Sequence, residues 1–478
     1  MNVTNGPGTD AVLSERARPL FLAALTLIAI GLRLAAMRGD LVLDEIWTLL
    51  ILAPMESVWQ IFLFNHDNNH LLNTLIVYGL GASVPPIVYR IPATLASCLA
   101  LWFGYRVGRR NGAAAGAVVL FLLGLSHVFV LYGTEARGYA YLTCATLAAW
   151  WALDEFLDQP RGWNLALFAL SVSLGFLSQL PFAFAYAGFG VYSILRLCGR
   201  PLGLRQAVFL HFVPLLTCLA VYMVFVQDLI PGGGETFSIE RVLVATFSLA
   251  AGGPETGTAA VAAALIAAIV IALALTNEFR VDRIRGVFYA TAVFLAPAAV
   301  ILVSRYEFVY PRHFLVPMIF CYVAVGNLLA RWIAAGRAGR ILAAGLLGAF
   351  GLCNLVPVTR LIIEGRAQYS AAVRWMAEQS SGPEVVLGGD FDFRNSTVAA
   401  FYAAQNADVY QGRGKQFVYV THADSGPQGV EWYLQHSFAG DPPRPATWTD
   451  RYGNVYDLVR EFPAGSISGW NWWLYRRR

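Results

Sequence analysis

Asp44 and Glu45 are adjacent carboxylates placed directly after the first long apolar stretch of the chain. Ionised groups beside hydrocarbon cost on the order of several kcal/mol unless they face water or a partner, so the pair needs a reason to be there. The run Asn65-His66-Asp67-Asn68-Asn69-His70-Leu71-Leu72-Asn73 follows it. A short segment, Tyr132-Gly133-Thr134-Glu135-Ala136-Arg137-Gly138-Tyr139, adds an acid and a base, and a late stretch adds Arg305, Glu307, Tyr310, Arg312 and His313. A carboxylate can take the proton of an attacking hydroxyl, while arginines or histidines can neutralise a departing phosphate. The set therefore suits transfer of a sugar from a phosphate-activated donor.

Composition says what must position these groups. The 478 residues are 57% hydrophobic and 13% charged, and the mean hydropathy is +0.55, which fits a polytopic membrane protein rather than a soluble domain. The net charge of +4 does not imply nucleic acid. Its arginines group at Arg16/Arg18, Arg106/Arg109/Arg110, Arg196/Arg200/Arg205, Arg280/Arg283/Arg285 and Arg331/Arg337/Arg340, between alternate apolar stretches, as cytoplasmic loops require. Hydropathy predicts membrane helices at 19–37, 91–107, 112–131, 138–156, 163–178, 181–197, 207–227, 258–276, 286–304, 312–332 and 340–357, about eleven in all. With an uncleaved first span and a cytoplasmic N-terminus, the C-terminus lies outside. The apolar stretch Leu71–Ser83 is too short to cross and is expected to lie in the interface. On this topology the acids and bases named above all fall on the outer face. The six cysteines fall within or at the ends of expected spans without metal-ligand spacing.

Beyond about residue 358 the apolar runs shorten. Residues 384–387, 417–420 and 470–475 read as strands, and 396–405 and 429–435 as helices. The expected organisation is a membrane domain over 1–357 and a small extracytoplasmic α/β domain over 358–478. Asp390-Phe391-Asp392, after Gly388-Gly389, reads as a polar turn rather than a metal-binding acid pair.

Leu43-Asp44-Glu45, Asn69-His70-Leu71-Leu72, Tyr89-Arg90-Ile91-Pro92-Ala93, the 132–139 segment and Tyr310-Pro311-Arg312-His313-Phe314-Leu315-Val316-Pro317 together resemble the GT-C glycosyltransferases. The branch most similar contains the protein O-mannosyltransferases and the lipid A aminoarabinose transferases. The resemblance is specific over about 19–160 and at 310–317. It implies a multi-pass enzyme of a bacterial cytoplasmic (inner) membrane, with a polyprenyl-phosphate sugar as donor and an envelope lipid, glycan or protein as acceptor. Lys415, the single lysine among 34 basic residues, fits a bacterial high-GC coding bias. Carried over position by position, Asp44 is the general base and Glu45 its helper. His70 and Arg312 face the lipid phosphate, and Glu135 and Arg137 match the acidic and basic positions of the second loop; apart from the resemblance, the outer loops offer His66, Asn73, Arg305 and Tyr310 as further substrate contacts. The chain departs from the family in having Leu71-Leu72-Asn73 after His70, where relatives have a Pro-rich turn, and Trp47 where some have a base. The chemistry expected is a single displacement with inversion at the anomeric carbon.

Plainer readings stand beside these. Asp44 and Glu45 suit the N-terminus of a short helix over 46–53 through the helix dipole. His66 and His70, four apart on a helix, would present a divalent-metal pair, although phosphate or acceptor contacts are the preferred reading and a metal cofactor is left open but not favoured. Glu135 and Arg137 could pair with each other, and Arg305 and Arg312 could be interfacial snorkelling residues. At the level of the whole chain, the alternatives are a transporter or flippase of lipid-linked saccharides and a scaffold for the exported domain.

Overall fold

The computed structural model describes residues 17–81, 84–304, 308–438 and 441–478. They form two compact units. One comprises the described residues within 1–37, 55–84 and 88–356, and the other those within 38–54, 85–87 and 357–478. The architecture is a polytopic membrane fold, mainly helical, with one small sheet near the C-terminus.

Among the described residues, seven helical segments are long and apolar enough to cross a membrane: Pro19–Ala36, Pro86–Arg109, Gly203–Val226, Gly257–Val281, Arg283–Val303, Pro311–Ala334 and Arg337–Gln379. Shorter apolar helices cover Leu71–Leu80, Ala113–Leu125, Gly162–Ser178 and Phe182–Leu197. The Tyr139–Asp158 helix is buried along most of its 20 residues. The expected stretch at 112–131 is not one helix, because it breaks at Ser126 into Ala113–Leu125 and His127–Tyr132. Inside apolar surroundings such a break leaves backbone groups that need partners. Arg33, fully buried, donates to Leu123 O at 3.0 Å and Gly124 O at 3.1 Å, and the Asn354 side chain accepts the His127 N–H at 2.7 Å. A charge inside the first span is thereby explained as the cap of a broken helix.

At the other end of the Tyr139–Asp158 helix, about 30 Å away at 1.5 Å per residue, the arginine groups meet buried acids. Arg110 binds Asp154, with Glu155 at 2.6 Å; Arg285 approaches Asp154 at 3.4 Å, and Tyr192 donates to Asp154 at 2.7 Å. Asn327 donates to Glu278 at 3.0 Å. These ion pairs tie the ends of several helices together.

The second unit holds a six-stranded sheet with the order β2-β1-β3-β6-β5-β4. Its strands are β1 (Glu384–Gly389), β2 (Gln416–Tyr419), β3 (Trp432–Ser437), β4 (Thr447–Thr449), β5 (Val455–Phe462) and β6 (Asn471–Arg477). β1 runs parallel to β2 and β3, and the remaining pairs are antiparallel. Trp432 and Trp472, both fully buried, anchor the core, with Trp472 packed at 4.5 Å on Tyr369. The helix expected at 429–435 is the strand β3. Trp432 and Leu434 bury alternate positions between β1 and β6, a period of two that outweighs helical spacing in so short a run. The helices Ile239–Ala251 and Tyr369–Gln379 and the strands β4 and β5 are among the elements that carry no expectation from sequence.

Residues 38–54 fold with this unit. Tyr402 donates to Leu41 O at 3.0 Å, Asp40 accepts the Ser370 N–H at 2.7 Å, and Trp47 packs edge-on against Phe393 at 5.1 Å.

Candidate functional site

In the first unit a tight set of hydrogen bonds joins the 65–73 segment to the 132–139 segment. Asn73 donates to Ala136 O at 2.8 Å, and Arg137 donates to Asn68 Oδ1 at 3.1 Å. The Gly138 N–H donates to Nδ1 of His70 at 3.1 Å, and the Gln179 side-chain amide lies 2.9 Å from Nε2. Asn69 fastens the approach by donating to Ile61 O and Phe64 O at 2.7 and 2.8 Å. His70 stands at the residue before the Leu71–Leu80 helix, whereas His66 sits in the preceding turn with Nδ1 3.2 Å from Asp67. The two histidines therefore do not share a helix face. Among the described residues no group of three or more His, Cys, Asp or Glu side chains is arranged to hold a metal ion.

A second cluster is built on the turn Pro311–Phe314. The Tyr310 hydroxyl donates to Glu235 O at 2.9 Å, and its ring lies 6.0 Å from Phe237. Arg312 covers the Tyr310 ring at 4.3 Å, and Arg241 covers the Phe237 ring at 4.3 Å. A cation over an aromatic face is attracted by the ring quadrupole, which helps hold both guanidiniums in place. The two clusters are neighbours: His313 feels the charges of Arg312, Arg137 and Asp67, and Tyr132 those of Arg312, Glu135 and Glu255. Arg137 also lies over Tyr139 at 5.0 Å. Cations thus concentrate where a phosphate could be held, with aromatic walls around them.

Asp44 and Glu45 belong to the second unit and occupy the first turn of the Leu43–Leu52 helix. The buried Glu45 carboxylate accepts the Val42 N–H at 3.0 Å, as an acid at this helix position can. Asp44 is half-buried, and its carbonyl accepts from Thr48 at 3.1 Å. The first unit brings His66, His70, Asn73, Glu135, Arg137, Tyr310 and Arg312 into these two clusters. Arg305 and Glu307 lie outside the described residues.

No family model matches the sequence, and no curated protein matches it. Among solved structures the chain is similar to ArnT from Cupriavidus metallidurans bound to undecaprenyl phosphate, with TM-score 0.50 and 14% identity over 97% of this chain and 98% of that one. The apo state of the same protein gives TM-score 0.50 and 14% identity, over 88% and 92%. The chain has the GT-C fold. A GT-C oligosaccharyltransferase from Archaeoglobus fulgidus, in complex with Zn and sulfate, is more distant, at TM-score 0.49 and 11% identity over 87% and 67%.

Within this GT-C chain the sequence reading misses Arg241, Glu255 and Gln179. Arg241 opens a helix of 13 residues, too short to register as a span. Glu255 sits in Gly252-Gly253-Pro254-Glu255-Thr256-Gly257, a string that reads as a plain turn. A lone acid in such a string between two apolar runs is the one signal that sequence offers.

Proposed function

We propose that this chain is an inverting glycosyltransferase that moves a single sugar from a polyprenyl-phosphate donor to an envelope lipid, glycan or protein on the outer face of a bacterial inner membrane. The observation that carries the reading is the pair of ring-held arginines, Arg241 and Arg312, set beside the hydrogen-bonded turn of Arg137 and His70 in a GT-C fold. Undecaprenyl phosphate bound to ArnT supports a lipid phosphate as the ligand here.

In the proposed reaction the acceptor hydroxyl attacks the anomeric carbon while Asp44 takes its proton. The bond from that carbon to the phosphate oxygen breaks, and the polyprenyl phosphate leaves against the arginines. One displacement inverts the centre. Glu45, anchored to the Val42 N–H, holds the helix turn that carries Asp44. His70 has both ring nitrogens engaged within the protein, which assigns it to bracing the turn of Glu135 and Arg137. His66, Asn73 and Tyr310 complete the substrate contacts of the proposal, together with Arg305, which lies outside the described residues. The C-terminal unit lies outside the membrane on this reading.

Deleting the gene and comparing envelope lipids, glycans and proteins by mass spectrometry tests the reading. The expected result is loss of one sugar from one acceptor class, together with accumulation of a polyprenyl-phosphate sugar. An unchanged envelope would overturn it.

A further inference from the structure

Within the second unit, the turn Asp390-Phe391-Asp392 stands at the carboxyl end of β1. The chain passes from β1 to β2 and then back across β1 to β3, both of which run parallel to it, so the strand order reverses at this point. In open α/β sheets such a reversal opens a crevice at the carboxyl ends of the strands, and ligands bind there. Gly389 brings the turn close to its neighbours, since a Cβ on it would come within 2.5 Å of the Asn395 amide and 3.2 Å of the Tyr419 hydroxyl. Each acid of the turn meets a histidine from one of the flanking strands.

On the β3 side, Asp390 Oδ2 accepts the His436 backbone N–H at 2.9 Å and lies 2.9 Å from its Nδ1, while Asn395 donates to Oδ1 at 3.2 Å. Asp392 repeats the arrangement on the β2 side. Its Oδ2 accepts the His422 N–H at 2.9 Å, and its Oδ1 lies 3.1 Å from His422 Nδ1 and accepts the Tyr419 hydroxyl at 3.1 Å. An arginine donates to the carbonyl of each histidine, Arg444 to His436 at 3.1 Å and Arg451 to His422 at 2.8 Å. A carboxylate has no proton to give, so each Nδ1 carries the hydrogen and each Nε2 is the bare, accepting nitrogen. Neither Nε2 has a hydrogen-bond partner among the described residues.

Aromatic rings flank these acceptors. His436 stacks on Trp470 at 3.8 Å, and Phe391 stands edge-on to both. Arg394 covers the other face of Trp470 at 3.6 Å and donates to the Tyr369 hydroxyl at 3.3 Å. Phe391 and Phe393 are both exposed, as is His422.

A ligand for this edge must bring hydrogen-bond donors and apolar faces. An ionised phosphate or carboxylate brings acceptors, and would meet bare nitrogens with carboxylates behind them, while the three arginines already have partners within the protein. A metal ion is unsuited as well, because no group of three or more ligating side chains exists among the described residues. A neutral sugar brings both features, since its hydroxyls donate and its C–H face packs on an aromatic ring. We infer that the carboxyl edge of β2-β1-β3 is a carbohydrate site for a neutral, hydroxyl-rich glycan, and that this glycan is the acceptor of the transfer. The acceptor role rests on the glycosyltransferase reading above, and narrows its acceptor from lipid, glycan or protein to a glycan. Its motive is the link from this edge to Asp44. Phe393, directly after Asp392, packs on Trp47, and Trp47 stands three residues after Asp44 on the Leu43–Leu52 helix, where residues three apart are neighbours.

The test applies the full-length protein in detergent to an array of neutral oligosaccharides and of sulfated, phosphorylated and uronate-bearing ones. Neutral glycans are expected to bind. For the tightest of them, His422→Ala should raise the Kd roughly two- to tenfold, the worth of about one hydrogen bond. Phe391→Ala should do so by a similar factor through the lost ring face. His436→Phe, which keeps a ring on Trp470 and removes Nε2, should act in the same direction. Binding confined to anionic glycans, binding to none, or neutral binding indifferent to all three changes overturns the site.

The acceptor role is read in cells deleted for the gene and carrying it back on a plasmid. The native gene should restore the sugar missing from the envelope, and the His422→Ala/His436→Phe double variant should restore less of it, with the polyprenyl-phosphate sugar accumulating. Full restoration by a double variant that has lost glycan binding overturns the acceptor role and leaves the carbohydrate site standing. An envelope unchanged by the deletion overturns the glycosyltransferase reading and the acceptor role with it, while the array alone decides the carbohydrate site.

Discussion

The backbone N–H of Gly138 donates to Nδ1 of His70 at 3.1 Å, and that one bond decides the state of the imidazole. A backbone N–H can only donate, so Nδ1 is the bare nitrogen and Nε2 carries the proton. The Gln179 amide nitrogen is placed 2.9 Å from Nε2, so the bond requires the Gln179 amide to be turned over, its oxygen accepting from Nε2. A neutral, doubly engaged His70 is a brace between the 65–73 segment and the turn of Glu135 and Arg137. Replacing it by Ala leaves the buried Gly138 N–H without this acceptor, at a cost of about 1–3 kcal/mol in denaturant unfolding. Gln at 70 can accept from Gly138 and should recover most of that stability. Recovery of transfer without recovery of stability would refute the bracing role.

Asp44 and Glu45 should separate in function although they are adjacent. Asp44→Asn is expected to lower transfer from a polyprenyl-phosphate sugar by about 10²–10⁴-fold, the contribution of a positioned general base, with no change in apparent Tm. Glu45→Gln keeps an acceptor for the Val42 N–H but removes the charge near the helix N-terminus, so its main effect should be a loss of about 0.3–1 kcal/mol in stability. Near-normal turnover in Asp44→Asn would remove it from the mechanism.

The helical body was legible because hydrocarbon imposes a long apolar run on every crossing helix. What depends on non-local contact was not. The role of Arg33, a charge within the first span, follows only from the break at Ser126, which supplies the carbonyls that it caps. β3 escaped because six residues carry too few periods to separate a strand from a helix, and its pairing with β1 and β6 decides the matter. Residues 38–54 fold with residues more than three hundred positions later, as the Tyr402–Leu41 bond shows, and nothing local announces that. In the candidate site, His70, Glu135, Arg137 and Arg312 were visible as polar residues flanking apolar runs. Arg241 and Glu255 were hidden in an element too short, and a turn too plain, to attract notice.

Arg33 supplies a separate prediction. Arg33→Met keeps an unbranched chain of similar length but removes the donors to Leu123 O, Gly124 O and the Ser97 hydroxyl. The freed carbonyls lie in an apolar region, so unfolding in detergent should shift by about 2–5 kcal/mol towards the unfolded state. Arg33→Lys retains a charge but not the planar fork, and should recover only part of the loss. An Arg33→Met protein as stable as the native one would mean that the break at Ser126 needs no cap.

Asp154 is where the arginine-rich helix ends can be tested apart from the chemistry. It is buried and meets Arg110, Arg285 and Tyr192 at the opposite end of the Tyr139–Asp158 helix from Tyr139. Removing one partner of a buried ion pair leaves the other charges uncompensated, which costs about 3–5 kcal/mol, more than the pair itself contributes over an apolar replacement. Asp154→Ala should therefore lower the yield of folded protein and its unfolding midpoint. Lipid-phosphate binding per folded molecule should stay within about twofold of native, because Asp154 lies roughly 22 Å along the helix from Tyr139. Asp154→Asn preserves the acceptor for Tyr192 and should be the milder change. A large loss of binding in well-folded Asp154→Asn protein would show that the helix-end network and the phosphate site are coupled.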